Sequence, residues 1–251
     1  MNKRLENIYN NFDKLVIGKE ESFRFHCTAC GKCCINREDI LLNPYDLYRI
    51  AKALNKKPYD VLLEYCDSYI GESSKMVIVR IKPQGTIKMC PFLKGVKCSI
   101  HTSKPTVCAL FPLGRSLQSE GSGHPSVMQA DVKYIFQNPP CGDASEIHTV
   151  REWLGDCEYI GDEEYFKAWM QLTIDCGTMA RNLEKVCLEK CLNAFYVAIL
   201  RVVYLHYAID EPFMPQFLKN LEVFRQSVLE PMLQLGIPDS QNTDDPTANA
   251  D

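Results

Sequence analysis

Four cysteines stand within eight residues, Cys27-Thr-Ala-Cys30-Gly-Lys-Cys33-Cys34, and this run restricts the chain more than any other feature. Zinc and iron–sulfur clusters take thiolates in roughly tetrahedral sets of four, and two-residue gaps let one tight loop bring successive sulfurs to a common centre. The C-x2-C-x2-C spacing matches the first three ligands of the bacterial ferredoxin run. The fourth cysteine with its following proline is not where that run puts it; Cys34 follows Cys33 directly instead. Adjacent side chains usually diverge, so Cys34 is expected to face a different centre from Cys33.

Cys90, Cys98, Cys108 and Cys141 bring the number to eight, enough for two four-sulfur sites, with their division left open by the sequence. Gly31 inside the loop and Gly142 beside Cys141 permit the backbone conformations that a tight site needs. The chain holds 13 cysteines, and the compartment decides what so many mean. Met1–Gly18 is polar and amphipathic, without the apolar stretch of a secretory signal. Ala194–Tyr207, the most apolar segment, carries Arg201 and His206 and is too short for a bilayer. A cytoplasmic location is therefore expected, where clustered cysteines bind metal or do redox chemistry rather than form a disulfide framework. A thioredoxin-type pair, Cys27/Cys30 or Cys30/Cys33, ranks below metal binding because no βαβ pattern surrounds it.

Charge is uneven. Met1–Arg115 holds 19 Lys/Arg against 11 Asp/Glu, and Ser116–Asp251 holds 9 against 21, within an overall net charge of −4. The basic residues are scattered and no run exceeds two, so they are read as offsetting thiolate charge rather than as a nucleic-acid surface. No Walker loop, nucleotide-binding glycine loop, H-E-x-x-H, G-x-S-x-G or C-x3-C-x2-C spacing occurs. A hydrolase or kinase has no residues to stand on.

Helical periodicity predicts Asn2–Val16, Asn43–Leu54 (Asn as N-cap, Pro44 first) and Pro58–Tyr69. Val77–Ile81 and Thr86–Met89 predict a hairpin, residues 114–126 a surface loop, and Val127–Phe136 a strand. Helices follow at Thr149–Asp156, Asp162–Met179, Arg181–Ile209 and Pro215–Leu235, with a polar, acidic end that reads as disordered. The remaining cysteines read as structural: Cys187 and Cys191 on a stripe with Phe195, Ala198, Val202 and Leu205, and Cys66, Cys157 and Cys176 at or near helices. His101 and His26 lie near the clustered cysteines, with a surface or supporting role favoured over ligation. His124 falls in the loop, and His148 and His206 at or within helices. Glu163-Glu164 reads as a solvated helix start.

Cys27, Cys30, Gly31, Cys33 and Cys34 resemble the opening C-x-x-C-G-x-C-C of the YkgJ-like cysteine-cluster family, a zinc- or iron-chelating domain. Asp46-Leu-Tyr-Arg-Ile-Ala-Lys-Ala-Leu54 fits its helix. Cys90, Phe92, Leu93, Gly95, Cys98, Ile100, Pro105, Cys108, Phe111 and Pro112 fit its second half. His101, Lys104 and Ala109 depart from that pattern, replacing a tyrosine and two arginines. The resemblance covers about residues 23–155 and implies metal chelation without fixing an activity. A related cysteine pattern occurs in the larger flagellin lysine N-methylases, an analogy only.

The expected fold is mainly α with a small β element, an irregular cysteine-rich metal-binding half packed with a helical half. Residues 1–155 form the cysteine-cluster zinc- or iron-chelating region, 156–237 the helical region and 238–251 a disordered acidic tail. The expected ligands are Cys27, Cys30, Cys33, Cys34, Cys90, Cys98, Cys108 and Cys141, holding an iron–sulfur cluster or zinc. Three functions compete: an iron–sulfur redox or transfer protein, a structural zinc protein whose helical half binds a protein partner, and an enzyme related to the lysine methylases. Whether the chain is an enzyme stays open.

Overall fold

The computed structural model describes residues 10–118, 126–155, 160–186 and 189–234. Cys157, Cys187, His124, the acidic end and the first part of the Asn2–Val16 helix lie outside them; Phe12–Leu15 is helical.

Helix Pro44–Leu54 starts as its sequence dictates. The Asn43 side chain accepts from the Asp46 backbone, Asp46 returns a bond to Asn43 N, and Pro44 takes the first turn. Leu47, Ile50 and Ala51 bury its inner face completely. The next helix, Pro58–Tyr65, stops short of the predicted Tyr69. Cys66–Ile70 becomes a strand because it finds a ladder partner in Val77–Ile81, where alternate residues are buried.

Among the described residues ten strands occur: β1 (Val16–Ile17), β2 (Ser22–His26), β3 (Leu41–Leu42), β4 (Cys66–Ile70), β5 (Val77–Ile81), β6 (Leu93–Lys94), β7 (Lys97–Cys98), β8 (Leu113–Gln118), β9 (Asp131–Phe136) and β10 (Asp143–Thr149). They make four small antiparallel sheets, ordered β1-β9-β8, β10-β2, β3-β5-β4 and β6-β7. About 50% of the described residues are helical and 21% strand, so helices still lead but the β content exceeds one small element. β5 is not half of a hairpin with Thr86–Met89; it is the centre of a three-stranded sheet, and only a Gln84–Met89 bridge closes the turn after it. The start of the predicted 114–126 loop is β8, paired along its length with β9.

A second capping box, Thr149 with Glu152, opens helix Val150–Leu154. Helix Glu163–Val186 passes the predicted stop at Met179 because Ala180 and Leu183 continue its buried face. Helix Glu189–Ala198 widens into a π-helical stretch, Ile199–Leu205. Helix Phe213–Phe224 and the turns to Gln234 follow.

Two cores hold these elements. One joins Leu47, Ile50, Val61, Val79 and Ile81 to Leu172, Met179, Leu183, Phe195 and Phe224. The other is mostly aromatic, with Phe23, Phe25, Tyr45, Tyr48, Tyr165 and Phe213; the Tyr45 and Phe213 rings lie 4.9 Å apart. Residues from both sides of position 155 contribute to each core.

Candidate metal centre

The first cysteine run folds as a loop ending in one 3-10 turn, Lys32–Cys34, reached through Gly31 at φ 70°. A side chain at Gly31 would strain that conformation and bring its Cβ within 3.3 Å of Val96 O. In this turn the Cys33 and Cys34 sulfurs lie 4.0 Å apart. Two thiolates on one tetrahedral zinc, with bonds of about 2.3 Å, stand about 3.8 Å apart. The pair therefore has the spacing of ligands to one centre, not the divergence that adjacency predicts.

Three other segments dock on this turn. Cys90 N donates to Cys34 O at 2.8 Å, and the β6–β7 ribbon sets Cys98 opposite Leu93. Cys108 rides on helix Thr106–Leu110, whose start is held by Asp46: the Thr106 N–H and hydroxyl both donate to one Asp46 carboxylate oxygen at 2.7 Å. Cys33, Cys34, Cys90, Cys98 and Cys108, with Cys27, thereby line a cavity of about 380 Å³. Phe25, Ile40, Ile81, Phe92 and Trp153 supply apolar wall, and Arg37, His101 and Lys104 face the same space.

Cys141 arrives by another route. β10 pairs with β2 through Asp143 and His26, which carries Cys141 alongside the start of the cysteine loop. Gly142, at φ 72°, permits the approach, since a Cβ there would fall 2.4 Å from His26 O. The Cys141 thiol is pushed up first by burial, then by the charges of Cys30, Cys33 and Cys27, and it shares a hydrogen bond with Cys30. Cys27 and Cys30 are exposed and Cys141 half-buried.

Burial and the neighbouring thiols oppose ionisation of Cys34, Cys90, Cys98 and Cys108. Cys90 and Cys98 are raised chiefly by burial, and Cys108 is pushed up to about 12 by the same cause. Cys33 goes the other way, down to about 6, first through the hydrogen bond with Cys34 and then through the Arg37 charge, while Cys34 is raised as its proton-bearing partner. Arg37 also donates to Cys33 O at 3.2 Å and ion-pairs with Asp39. A metal cation would remove the repulsion and release the thiol protons. Among the described residues no three Cys, His, Asp or Glu side chains form a coordination set. The chemistry of the thiols fits: soft thiolates suit zinc and iron–sulfur centres.

The other cysteines divide. Cys66 and Cys176 are buried among apolar residues, as expected for structural thiols, although Cys66 opens a strand rather than sitting on a helix; burial raises both. Cys191 corrects the sequence reading: it is exposed, while the buried stripe of its helix starts at Phe195 and continues through Ile199 and Val203. His26 pairs with Glu146 at 2.7 Å, and His148 lies 3.2 Å from the same carboxylate. His101 is at the cavity, where the Lys104 charge and partial burial lower its pKa. Arg37 is a cavity residue that sequence reasoning missed; its place four residues after Cys33 is the signal that could have flagged it.

Thiols from four separate stretches line one cavity, and the β2–β10 pairing brings Cys141 beside the first of them, which together make a cysteine-cluster region. Residues 26–141 match the family model CxxCxxCC, described as "Putative zinc- or iron-chelating domain". The matched segment contains all eight clustered cysteines. No curated protein and no solved structure matches the chain.

Proposed function

We propose that the chain binds iron in an iron–sulfur cluster held by the clustered cysteines and serves redox or transfer chemistry. The cavity is the observation that carries this reading. A closed structural zinc site consists of four ligands packed on a small ion, whereas a space of about 380 Å³ is in the range of small-molecule pockets. Cys33, Cys34, Cys90, Cys98 and Cys108 supply more sulfurs than one four-ligand centre uses, and Cys27 lines the same cavity. Apolar walls would limit solvent at the centre, one of the levers that set a cluster's potential.

Zinc is the second reading, favoured by the 4.0 Å separation of the Cys33 and Cys34 sulfurs and by an all-thiolate donor set. Metal and sulfide analysis of anaerobically purified protein separates the two. Iron with acid-labile sulfide and broad visible absorption is the expected result. Colourless protein carrying zinc, with neither iron nor sulfide under anaerobic expression, would overturn the cluster.

A further inference from the structure

The eight cysteines are not equivalent in their access to solvent: Cys27 and Cys30 are exposed, Cys33, Cys34, Cys98, Cys108 and Cys141 half-buried, and Cys90 buried. Cys34, Cys90, Cys98 and Cys108 lie around the cavity. The β2–β10 pairing brings Cys141 beside Cys27 and Cys30. Two residues join the groups. Cys27 is exposed yet also lines the cavity, which places it at the mouth. Cys33, three residues after Cys30 in the same loop, lines the cavity with its sulfur 4.0 Å from that of Cys34.

We propose that Cys27, Cys30 and Cys141 form an outer thiol site that takes up metal from a thiol-bearing donor and passes it inward through Cys33. This rests on metal binding at the inner cavity. Each transfer is a ligand substitution: one metal–sulfur bond forms as another breaks, the receiving thiol loses its proton to solvent, and the departing sulfur leaves as thiolate or takes a proton up. The metal keeps its oxidation state, so no oxidant or reductant is required. Exposed thiols are suited to the first exchange because a donor's sulfur can reach the metal they hold. Buried thiols release metal slowly because a competing ligand must enter the walled cavity.

Zinc serves as the probe, because a colorimetric chelator reads its release. The full chain, loaded anaerobically with Zn²⁺ and then mixed with excess chelator, is expected to give a fast and a slow phase. In Cys30→Ser/Cys141→Ser the fast phase disappears, the slow phase keeps its amplitude, and loading of the slow site from a zinc–glutathione donor is retarded. In Cys90→Ser/Cys108→Ser the slow phase disappears and the fast one remains. Circular dichroism of each variant checks that the fold persists, and Cys27→Ser, at an exposed position, repeats the outer test should the first pair fail to fold. A single release phase in the unaltered chain, or both phases intact without Cys30 and Cys141, overturns the outer site while leaving inner binding in place. A chain that takes up no metal under any loading overturns the parent reading instead.

Discussion

Asp46 shows how one residue far from the cysteine loop can position a thiol. It is 1% exposed and accepts from Asn43 N and from both the N–H and the hydroxyl of Thr106. Those bonds tie the start of helix Pro44–Leu54 to the start of the helix that carries Cys108. Asp46→Ala would leave three donors without this acceptor, at a cost on the order of 2 kcal/mol, and should lower metal content by loosening Cys108; Asp46→Asn, which keeps one oxygen, should cost less. The pH dependence has a definite sign. Burial holds the Asp46 carboxyl above the ordinary carboxylate range against its hydrogen bonds. The native state thus binds this proton more tightly than the unfolded chain does. Its contribution to stability falls as pH rises from the ordinary range through the raised value, and is level above it. Denaturant titrations across that window should show a shallower fall for Asp46→Asn. The sequence made half of this legible: Asn43, Pro44 and Asp46 read as a helix start, but nothing local marks Thr106, sixty residues on, as the partner. Cys191 failed for the converse reason, since helical spacing names a face without saying whether anything covers it.

At the scale of elements, the β2–β10 pair is the device that brings Cys141 to Cys27. Gly142→Ala meets two penalties there, a left-handed φ of 72° and a Cβ 2.4 Å from His26 O. It should separate the strands and lower stability by more than the roughly 1–2 kcal/mol of the backbone conformation alone. Gly95→Ala is the control: its φ is +62°, but no atom lies within 4 Å of the added Cβ, so only the conformational cost applies. Thermal unfolding and metal content of the two variants, side by side, check this; equal losses would mean that the close approach at Gly142 is unimportant. The N-cap and proline made the helix start at Asn43 legible, and the helical pattern that at Thr149; both turn out to be capping boxes. Strand partners were not. Cys66–Ile70 continues a helical pattern from Pro58 and becomes a strand only because Val77–Ile81 lies beside it, a non-local choice that periodicity does not encode.

For the whole molecule, the question is whether metal loss is a local event. The sequence reading separates a cysteine-rich region from a helical one, and the clustered cysteines do end before residue 155. Packing does not follow that line. Cys90 is part of the same core as Leu172, Met179, Leu183 and Phe195, and Cys34, Cys98 and Cys108 pack against it. The elements that carry the thiols thus share their apolar contacts with the long helices. Ligands bound only by the folded chain stabilise everything that unfolds with the site. Removing metal with a chelator should therefore move one cooperative calorimetric transition to lower temperature, helices included, and the helical signal by circular dichroism should be lost at that same lowered temperature. Two transitions, with the helical one unmoved by chelation, would instead show that the long helices keep their fold without the metal-binding region, despite the core they share.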